Sequence, residues 1–197
     1  MSPILTGRVL YQCAKASIFT ISVAIFANDN LFEIVSISGK SMTPALSPDH
    51  NTSGTRDWIV LRKMQPTNNI KRGDIVSYPS PHNPDKIAVK RVIGLDGDTV
   101  LLDQRRRSAM PPEKQRGWDT WGGKCVVPYG HLWVEGDHWS GSLDSNHYGP
   151  IPKSLIDGRA LGLVWPWSRF GQTPWTQYRS KTRVIEGIAV CPKEWEL

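Results

Sequence analysis

The longest apolar run of the chain lies within its first 30 residues. Residues 9–27 include no acidic side chain, and Gln12 and Lys15 interrupt only the first half of this segment. As a helix it would extend about 28 Å, close to the hydrocarbon thickness of a bilayer. The pattern predicts one helix over residues 1–30. It leaves three uses open, namely a membrane anchor, a cleaved targeting peptide and an amphipathic helix packed on the domain, of which we expect the anchor.

Beyond residue 30 the apolar runs become short and alternate with turn-forming segments rich in Pro, Asn, Ser and Gly. Alternation with a period of two is typical of half-buried strands. The predicted strands are residues 31–38, 58–62, 74–78, 86–95, 99–102, 124–127, 131–134 and 158–164. The sequence therefore predicts an all-β domain of coiled or barrel-like sheets over residues 31–171. Only residues 152–156 suggest a helical turn there, and residues 172–197 are expected to be a tail appended to the domain.

The net charge is +6, part of which comes from a cluster between Arg105 and Arg116. We expect a solvated loop there, because no aromatic or glycine pattern of a nucleic-acid module accompanies these charges. The three cysteines, Cys13, Cys125 and Cys191, are far apart and form no CxxC pair. They indicate no zinc site and leave a Cys125–Cys191 disulfide open.

The segment "SGKSMTP" presents Ser41 within a predicted turn. A serine that attacks a carbonyl needs a nearby base to accept its proton. One possible source is the group formed by His131, His138 and His147 with Asp137 and Asp144. A Ser-His-Asp triad or a metal site there stays open, although the spacing matches no common zinc ligand set.

Lys90 is the better candidate for the base. In "DKIAVKRVIG" strand alternation places Lys90 on the same face as Ala88 and Val92, so its amine would lie among apolar neighbours. An unperturbed lysine is neutral in only about one molecule in 2,500 at pH 7. Burial favours the neutral form, and a neutral lysine can deprotonate a serine hydroxyl.

Five segments occur in an order that resembles the successive boxes of type I signal peptidases, which are membrane-anchored Ser/Lys proteases. They are "SGKSMTP", "RGDIV", "KRVIGLDGD", "GHLWVEGD" and "SLDSNHYGPIP". The lysine-containing box resembles the bacterial and organellar branch. Within that branch, "GHLWVEGD", "DSNHYGPI" and "WPWSRFG" resemble the mitochondrial inner membrane peptidases, particularly their subunit 2 class.

The resemblance implies a role for individual residues. Ser41 would be the nucleophile, with its own backbone N–H as oxyanion donor, and Lys90 the general base. Ser142 would hydrogen-bond the lysine amine, and Asp144 would brace the loop. The chain departs from many bacterial relatives in three places. Gly39 stands where they have a serine two positions before the nucleophile, and His138 stands where they have an asparagine. Asn146 stands where they have an arginine that pairs with the carboxylate corresponding to Asp144.

The resemblance also implies how and where the protein acts. An extended substrate would lie beside the strands that contain Ser36, Ser38, Gly39 and Ala88. The substrates would be presequence-bearing precursors sorted to the mitochondrial intermembrane space. The protein would face that space from the inner membrane as a heterodimer with a subunit 1 type chain, without metal, cofactor or nucleic acid. Three alternatives stay open: a catalytically silent β-domain that stabilises a partner peptidase, a bacterial-type signal peptidase, and a self-cleaving repressor.

Overall fold

The computed structural model of the chain describes residues 3–48, 54–102, 123–138 and 140–188. Within these ranges there are two α-helices, the long α1 (Pro3–Asn30) and the single turn α2 (Ser145–Tyr148). The ten strands of the same ranges are β1 (Phe32–Ser36), β2 (Trp58–Arg62), β3 (Ile75–Ser80), β4 (Asn83–Gly94), β5 (Thr99–Leu101), β6 (Lys124–Val126), β7 (His131–Glu135), β8 (Ile151–Pro152), β9 (Gly158–Trp165) and β10 (Arg183–Ile185). The prediction of an all-β domain preceded by one N-terminal helix is confirmed.

Helix α1 extends away from the domain. Its side chains are exposed from Gly7 to Phe26. In the part of the chain that the structure describes, Gly7–Ala27 is the one helical stretch that is long and apolar enough to cross a membrane. An amphipathic helix packed on the domain, one of the three uses left open, is wrong because none of the described residues of the domain covers this stretch.

The strands form two antiparallel sheets. The larger has the order β1-β2-β9-β3-β4-β7-β8, and the smaller has the order β10-β5-β6. The predicted strands match β1 to β7 and β9 to within a few residues, but β8 and β10 were not predicted. Strands β3 and β4 extend further than predicted, because they continue as a hairpin through the segment "YPSPHNPD". Its prolines are tolerated because this half of β4 pairs with β3 alone among the described strands.

The main core lies under β1, β2, β3 and β9. Met42 and Trp175 are 1% and 4% exposed within it, and they pack with the buried residues Ile37, Ala45, Leu46, Ile59, Leu61, Ile75 and Leu163. The expected tail is therefore wrong for residues 172–188, since Trp175 belongs to the core and β10 pairs with β5. Residues 189–197 lie outside the described ranges.

Candidate active site

Ser41 lies in a tight turn between β1 and the core. The carbonyl oxygen of Lys40 accepts hydrogen bonds from the backbone N–H of Thr43 at 3.1 Å and from its hydroxyl at 2.8 Å. Gly39 has a φ of +93°, a conformation that favours glycine. Met42 anchors the turn in the main core. This arrangement leaves the Ser41 side chain partly exposed at the surface of the sheet.

Lys90 approaches Ser41 from β4. It pairs with Val76 of β3 and is only 5% exposed. The Lys90 Nζ donates a hydrogen bond to the Ser41 Oγ at 3.0 Å. Burial lowers the pKa of the Lys90 amine, and the carboxylates of Asp144 and Asp137 offset part of this change. The structure thus places a lysine that is more readily deprotonated than usual against a serine hydroxyl.

Asp144 organises the loop beside this pair and is fully buried. Its carboxylate caps α2 and accepts a hydrogen bond from the backbone N–H of Gly136 at 2.9 Å. It also accepts from the Nδ2 of Asn146 at 2.9 Å. Asn146 therefore gives Asp144 a neutral hydrogen-bond partner.

Ser142 occupies the same loop, but the expected hydrogen bond to the Lys90 amine is not formed. The Ser142 side chain is buried against Gly136, and its Oγ has no hydrogen-bond partner among the described residues. The distance between Gly136 and Ser142 is so small that a Cβ atom added to Gly136 would overlap the Ser142 side chain. In this conformation the hydroxyl packs on the Gly136 turn instead of reaching the amine.

A groove beside Ser41 and Lys90 contains most of the predicted substrate-binding residues. It has a volume of about 120 Å³. Its lining is Val35, Ser36, Ile37, Ser38, Ser41, Met42, Ile87, Ala88, Val89 and Lys90. Gly39 is absent from this lining and belongs to the turn instead. The groove lies between two strand segments, at β1 and at the first half of β4, that each have one paired side among the described strands.

The histidine group forms neither a triad nor a metal site within the described ranges. The Asp137 carboxylate is bound to Arg91, and the His131 Nδ1 lies 2.9 Å from the Tyr129 carbonyl oxygen. The His147 Nδ1 is 3.9 Å from the Asp144 carboxylate. No group of three or more His, Cys, Asp or Glu that could hold a metal occurs among the described residues. The basic cluster at Arg105–Arg116 and Cys191 lie outside these ranges.

An ion pair on the opposite face of β4 was not predicted from the sequence. Arg91 forms two hydrogen bonds of 2.7 Å with the Asp137 carboxylate, and both side chains are 2% exposed. Its Nη1 donates to the Trp175 carbonyl oxygen at 2.6 Å. The guanidinium also lies 4.9 Å from the Tyr178 ring centroid. Because Lys90 and Arg91 are neighbours in a strand, the sequence indicates that they point to opposite faces of β4. No pattern in the sequence indicated that Arg91 would contact the segment around Trp175.

Comparisons with known proteins agree with the motifs. Residues 10–165 match the family model of signal peptidase, peptidase S26. The mitochondrial inner membrane protease subunit 2 of Saccharomyces cerevisiae is 38% identical over 153 residues, which cover 77% of this chain and 78% of that protein. The mitochondrial inner membrane protease subunit 2 of Danio rerio is 36% identical over 167 residues, which cover 83% of this chain and 81% of that protein.

Two further matches are more partial. The mitochondrial inner membrane protease subunit 1 of Mus musculus is 45% identical over 102 residues, which cover 52% of this chain and 54% of that protein. A solved structure of a signal peptidase I from Enterococcus faecalis V583 is 27% identical, with 46% of this chain and 95% of that chain covered at a TM-score of 0.34. The family match and the subunit 2 relatives confirm the resemblance drawn from the motifs. The chain belongs to the signal peptidase family, peptidase S26.

Proposed function

We propose that this protein is a membrane-anchored serine endopeptidase that uses Ser41 as nucleophile and Lys90 as general base. The 3.0 Å contact between the Lys90 Nζ and the Ser41 Oγ, in a buried position, is the observation that supports this proposal. The neutral amine takes the hydroxyl proton as Oγ bonds to the substrate carbonyl carbon. It then gives that proton to the leaving amine as the peptide bond breaks. In the second half of the reaction, Lys90 activates the water that hydrolyses the acyl-enzyme.

The remaining roles follow from the contacts around this pair. The backbone N–H of Ser41 has no acceptor within the described ranges, so it can donate to the developing oxyanion. Asp144 acts as scaffold, because its oxygens are occupied by the loop that it holds. Ser142 accepts a hydrogen bond from the Lys90 amine once that amine carries the transferred proton. Its buried hydroxyl, without a partner among the described residues, supports this role.

The substrate is an extended peptide that binds in the groove between β1 and β4. Each bordering strand segment has an unpaired side there, so backbone hydrogen bonds can add the peptide to the sheet. Ser36, Ser38 and Ala88 line a small volume, which favours small side chains before the scissile bond. As the motif resemblance to the mitochondrial inner membrane peptidases implies, the substrates are presequences of precursors sorted to the mitochondrial intermembrane space.

Alanine substitution tests the proposed pair. Ser41→Ala and Lys90→Ala should each abolish cleavage of intermembrane-space precursors and leave the circular dichroism spectrum unchanged. Ser154→Ala and Lys124→Ala are matched controls, because both side chains are exposed and neither lines the groove. The N-termini of the products would be sequenced to locate the cleavage site. Wild-type cleavage by either site variant contradicts the assignment, and a wild-type protein that never cleaves supports the silent partner instead.

The proposed location is the mitochondrial inner membrane, with the domain in the intermembrane space. Basic Arg8 lies at the N-terminal end of the apolar stretch of α1 and Asp29 follows that stretch, so the N-terminus is expected on the matrix side. Trp165, Trp167 and Phe170 form an exposed aromatic cluster on the domain, which suits the interface of a membrane. The protein should remain in the membrane pellet after carbonate extraction, and external protease should reach the domain only after the outer membrane is opened.

The proposed partner is a subunit 1 type chain, because the relatives of this protein include chains named subunit 1 and subunit 2 of one protease. Pull-down of the tagged protein from detergent-solubilised mitochondria should recover such a chain in a fixed ratio. Recovery of the protein alone at its monomer mass contradicts the heterodimer without bearing on the Ser41–Lys90 pair.

A further inference from the structure

A second pocket lies at the tip of the β3–β4 hairpin, outside the lining of the groove beside Ser41. Its volume is about 350 Å³. Its lining includes Pro84 of β4, Tyr148 of α2, Ile151 and Pro152 of β8, and Leu155. Of the described residues that line it, none is charged. This pocket, which we call the proline pocket, therefore suits an apolar side chain.

The proline pocket and the groove share strand β4. Pro84 lines the pocket and Ala88 lines the groove, so the two sites are about 13 Å apart along the strand. Ala88 packs against the same hydrophobic cluster as Tyr148 and Leu155, two residues of the pocket lining. The two sites therefore lie on one face of β4, and the pocket continues the groove towards the hairpin tip.

The edge of β4 between the two sites can pair with a further strand. Residues 83–89 pair with β3 on one side, and none of the described strands pairs with them on the other. The groove follows this edge from Lys90 back to Ile87, and β4 continues from there to Pro84. A peptide whose scissile bond lies at Ser41 therefore directs its earlier residues along β4 towards Pro84. Because proline has no N–H, backbone pairing weakens at that point and the pocket offers a side-chain contact instead.

The walls of the proline pocket are held by contacts within the domain. The Tyr148 hydroxyl contacts the hydroxyl of the buried Tyr78 at 2.5 Å. The Tyr148 ring packs edge to face against His82, with the ring centroids 5.7 Å apart. Tyr78 also pairs with Ala88, so it connects the pocket wall to the groove. A side chain that enters the pocket meets a preformed surface, which lowers the entropic cost of binding.

We propose that the proline pocket binds an apolar side chain of the substrate, about seven residues before the scissile bond. The inference rests on the proposed function, which places the segment before that bond in the groove. The first residue before the bond lies at Lys90, and an extended peptide rises about as much per residue as β4 does. Counting back along β4 from Lys90 to Pro84 therefore gives the position. The pocket selects substrates at a distance from the reacting atoms.

Peptide cleavage by the full-length protein in detergent tests this pocket. A peptide that spans a cleavage site mapped in the precursor assay carries Asn at each position from about four to about ten residues before the bond, and a single Leu replaces each Asn in turn. With Leu about seven residues before the bond, kcat/KM should exceed that of the unsubstituted peptide about fivefold, as expected for a partly buried leucine. Equal gains at every position, or no gain at any, overturn the pocket and leave the peptidase assignment intact.

Variants of the pocket lining separate this contact from general hydrophobic attraction. Ser80 of β3 lines the pocket and is half-buried, so Ser80→Trp should fill it and reduce the gain from Leu to about one. Lys124→Trp, at an exposed position of β6 outside the lining, should retain the gain. Leu155→Ala enlarges the pocket and should raise the ratio of kcat/KM for a Trp peptide to that for the Leu peptide. A gain from Leu that Ser80→Trp leaves intact, or an unchanged ratio in Leu155→Ala, contradicts the proposal.

Binding provides a readout that does not depend on turnover. In the Ser41→Ala background the best Leu peptide should bind more tightly than the unsubstituted peptide, and Ser80→Trp should remove the difference. If the wild-type protein cleaves no peptide but this difference in binding persists, the proposed function is wrong and the pocket is supported. Equal dissociation constants overturn the pocket. If Ser80→Trp instead weakens only the recovery of a subunit 1 type chain, the pocket binds the partner and the proposal is wrong.

Discussion

At the residue scale the proposed chemistry depends on the surroundings of one amine, that of Lys90. Lys90 is buried between Val76 and the Ser41 turn, where desolvation lowers its pKa more than two nearby carboxylates raise it. The same burial that would prepare Lys90 as the proposed base makes its charged form costly to the fold. Catalysis and stability are therefore linked through the protonation state of this side chain.

The first residue-scale prediction concerns stability and pH. Because its pKa is lower in the folded state, Lys90 destabilises the protein at neutral pH, and this effect disappears as the pH rises to the unfolded value of about 10.4. Lys90→Met should therefore be more stable than wild type at pH 7, and this difference in the free energy of unfolding should shrink towards pH 10. Urea unfolding of the full-length chain in detergent measures this. A gain that does not change with pH would contradict the burial argument, and Lys124→Met serves as control.

The second residue-scale prediction concerns Gly136. A Cβ atom there would lie 2.5 Å from the Ser41 carbonyl oxygen, closer than real contacts allow. Gly136→Ala should displace the nucleophile turn and lower kcat at least tenfold. In Gly162→Ala the new Cβ would have its nearest neighbour at an ordinary 3.8 Å. That variant should keep full activity, and equal rates of the two variants would show that Gly136 does not position Ser41.

At the element scale β4 connects the two halves of the site. Its alternation places Lys90 towards Ser41 and Arg91 towards Asp137 and the Trp175 carbonyl oxygen. The ion pair thus fixes the strand from the side opposite the proposed base. Because Arg91 binds both Asp137 and the Trp175 carbonyl oxygen, it also joins the loop after β7 to the C-terminal segment.

The element-scale prediction is that Asp137→Ala leaves a buried, uncompensated guanidinium. The substitution should lower the free energy of unfolding by about 3–5 kcal/mol. Replacing both partners with apolar residues, Arg91→Met with Asp137→Leu, should recover most of that loss. Chemical denaturation of the three proteins measures both effects. A cost below about 1 kcal/mol for Asp137→Ala would mean that solvent reaches Arg91.

The strands differ in how far the sequence predicted them. Strands such as β2 and β7 are short apolar runs of strand-favouring residues and were predicted within a residue. The three-residue β10 was missed, because it is held by pairing with β5, far away in the chain, and has little pattern of its own. Ser41 and Lys90 were found from turn chemistry and motifs. The contact of His138 with the Ser41 turn and the Arg91–Asp137 pair were missed, since both depend on distant segments meeting in the fold.

At the scale of the whole molecule, the C-terminal segment is part of the catalytic domain. Trp175 fills the main core beneath the Ser41 turn, and the Thr182 hydroxyl donates to the buried Glu135 carboxylate at 2.6 Å. The domain is thus completed by residues beyond Gly171, whereas α1 extends away from it. The folded domain and the candidate membrane anchor are therefore different parts of the chain.

The whole-molecule prediction is that Trp175→Ala destabilises the domain by about 3–5 kcal/mol, because it removes a large buried side chain. Trp167→Ala is the matched control. Trp167 is 72% exposed, and its loss should change the free energy of unfolding little. Urea unfolding followed by circular dichroism measures both. Equal effects of the two substitutions would contradict the place of Trp175 in the core.

The ionisation of the Lys90 amine tests the central claim most directly. Its pKa would be measured in the full-length protein by NMR of a ¹⁵N-labelled side chain and compared with the acid limb of kcat/KM for peptide cleavage. We expect a pKa below the 10.5 of an ordinary lysine. Activity should be lost as the pH falls through the same value, because protonation removes the base. A lysine that titrates at 10.5 or above, in an enzyme that still cleaves at neutral pH, would contradict the account.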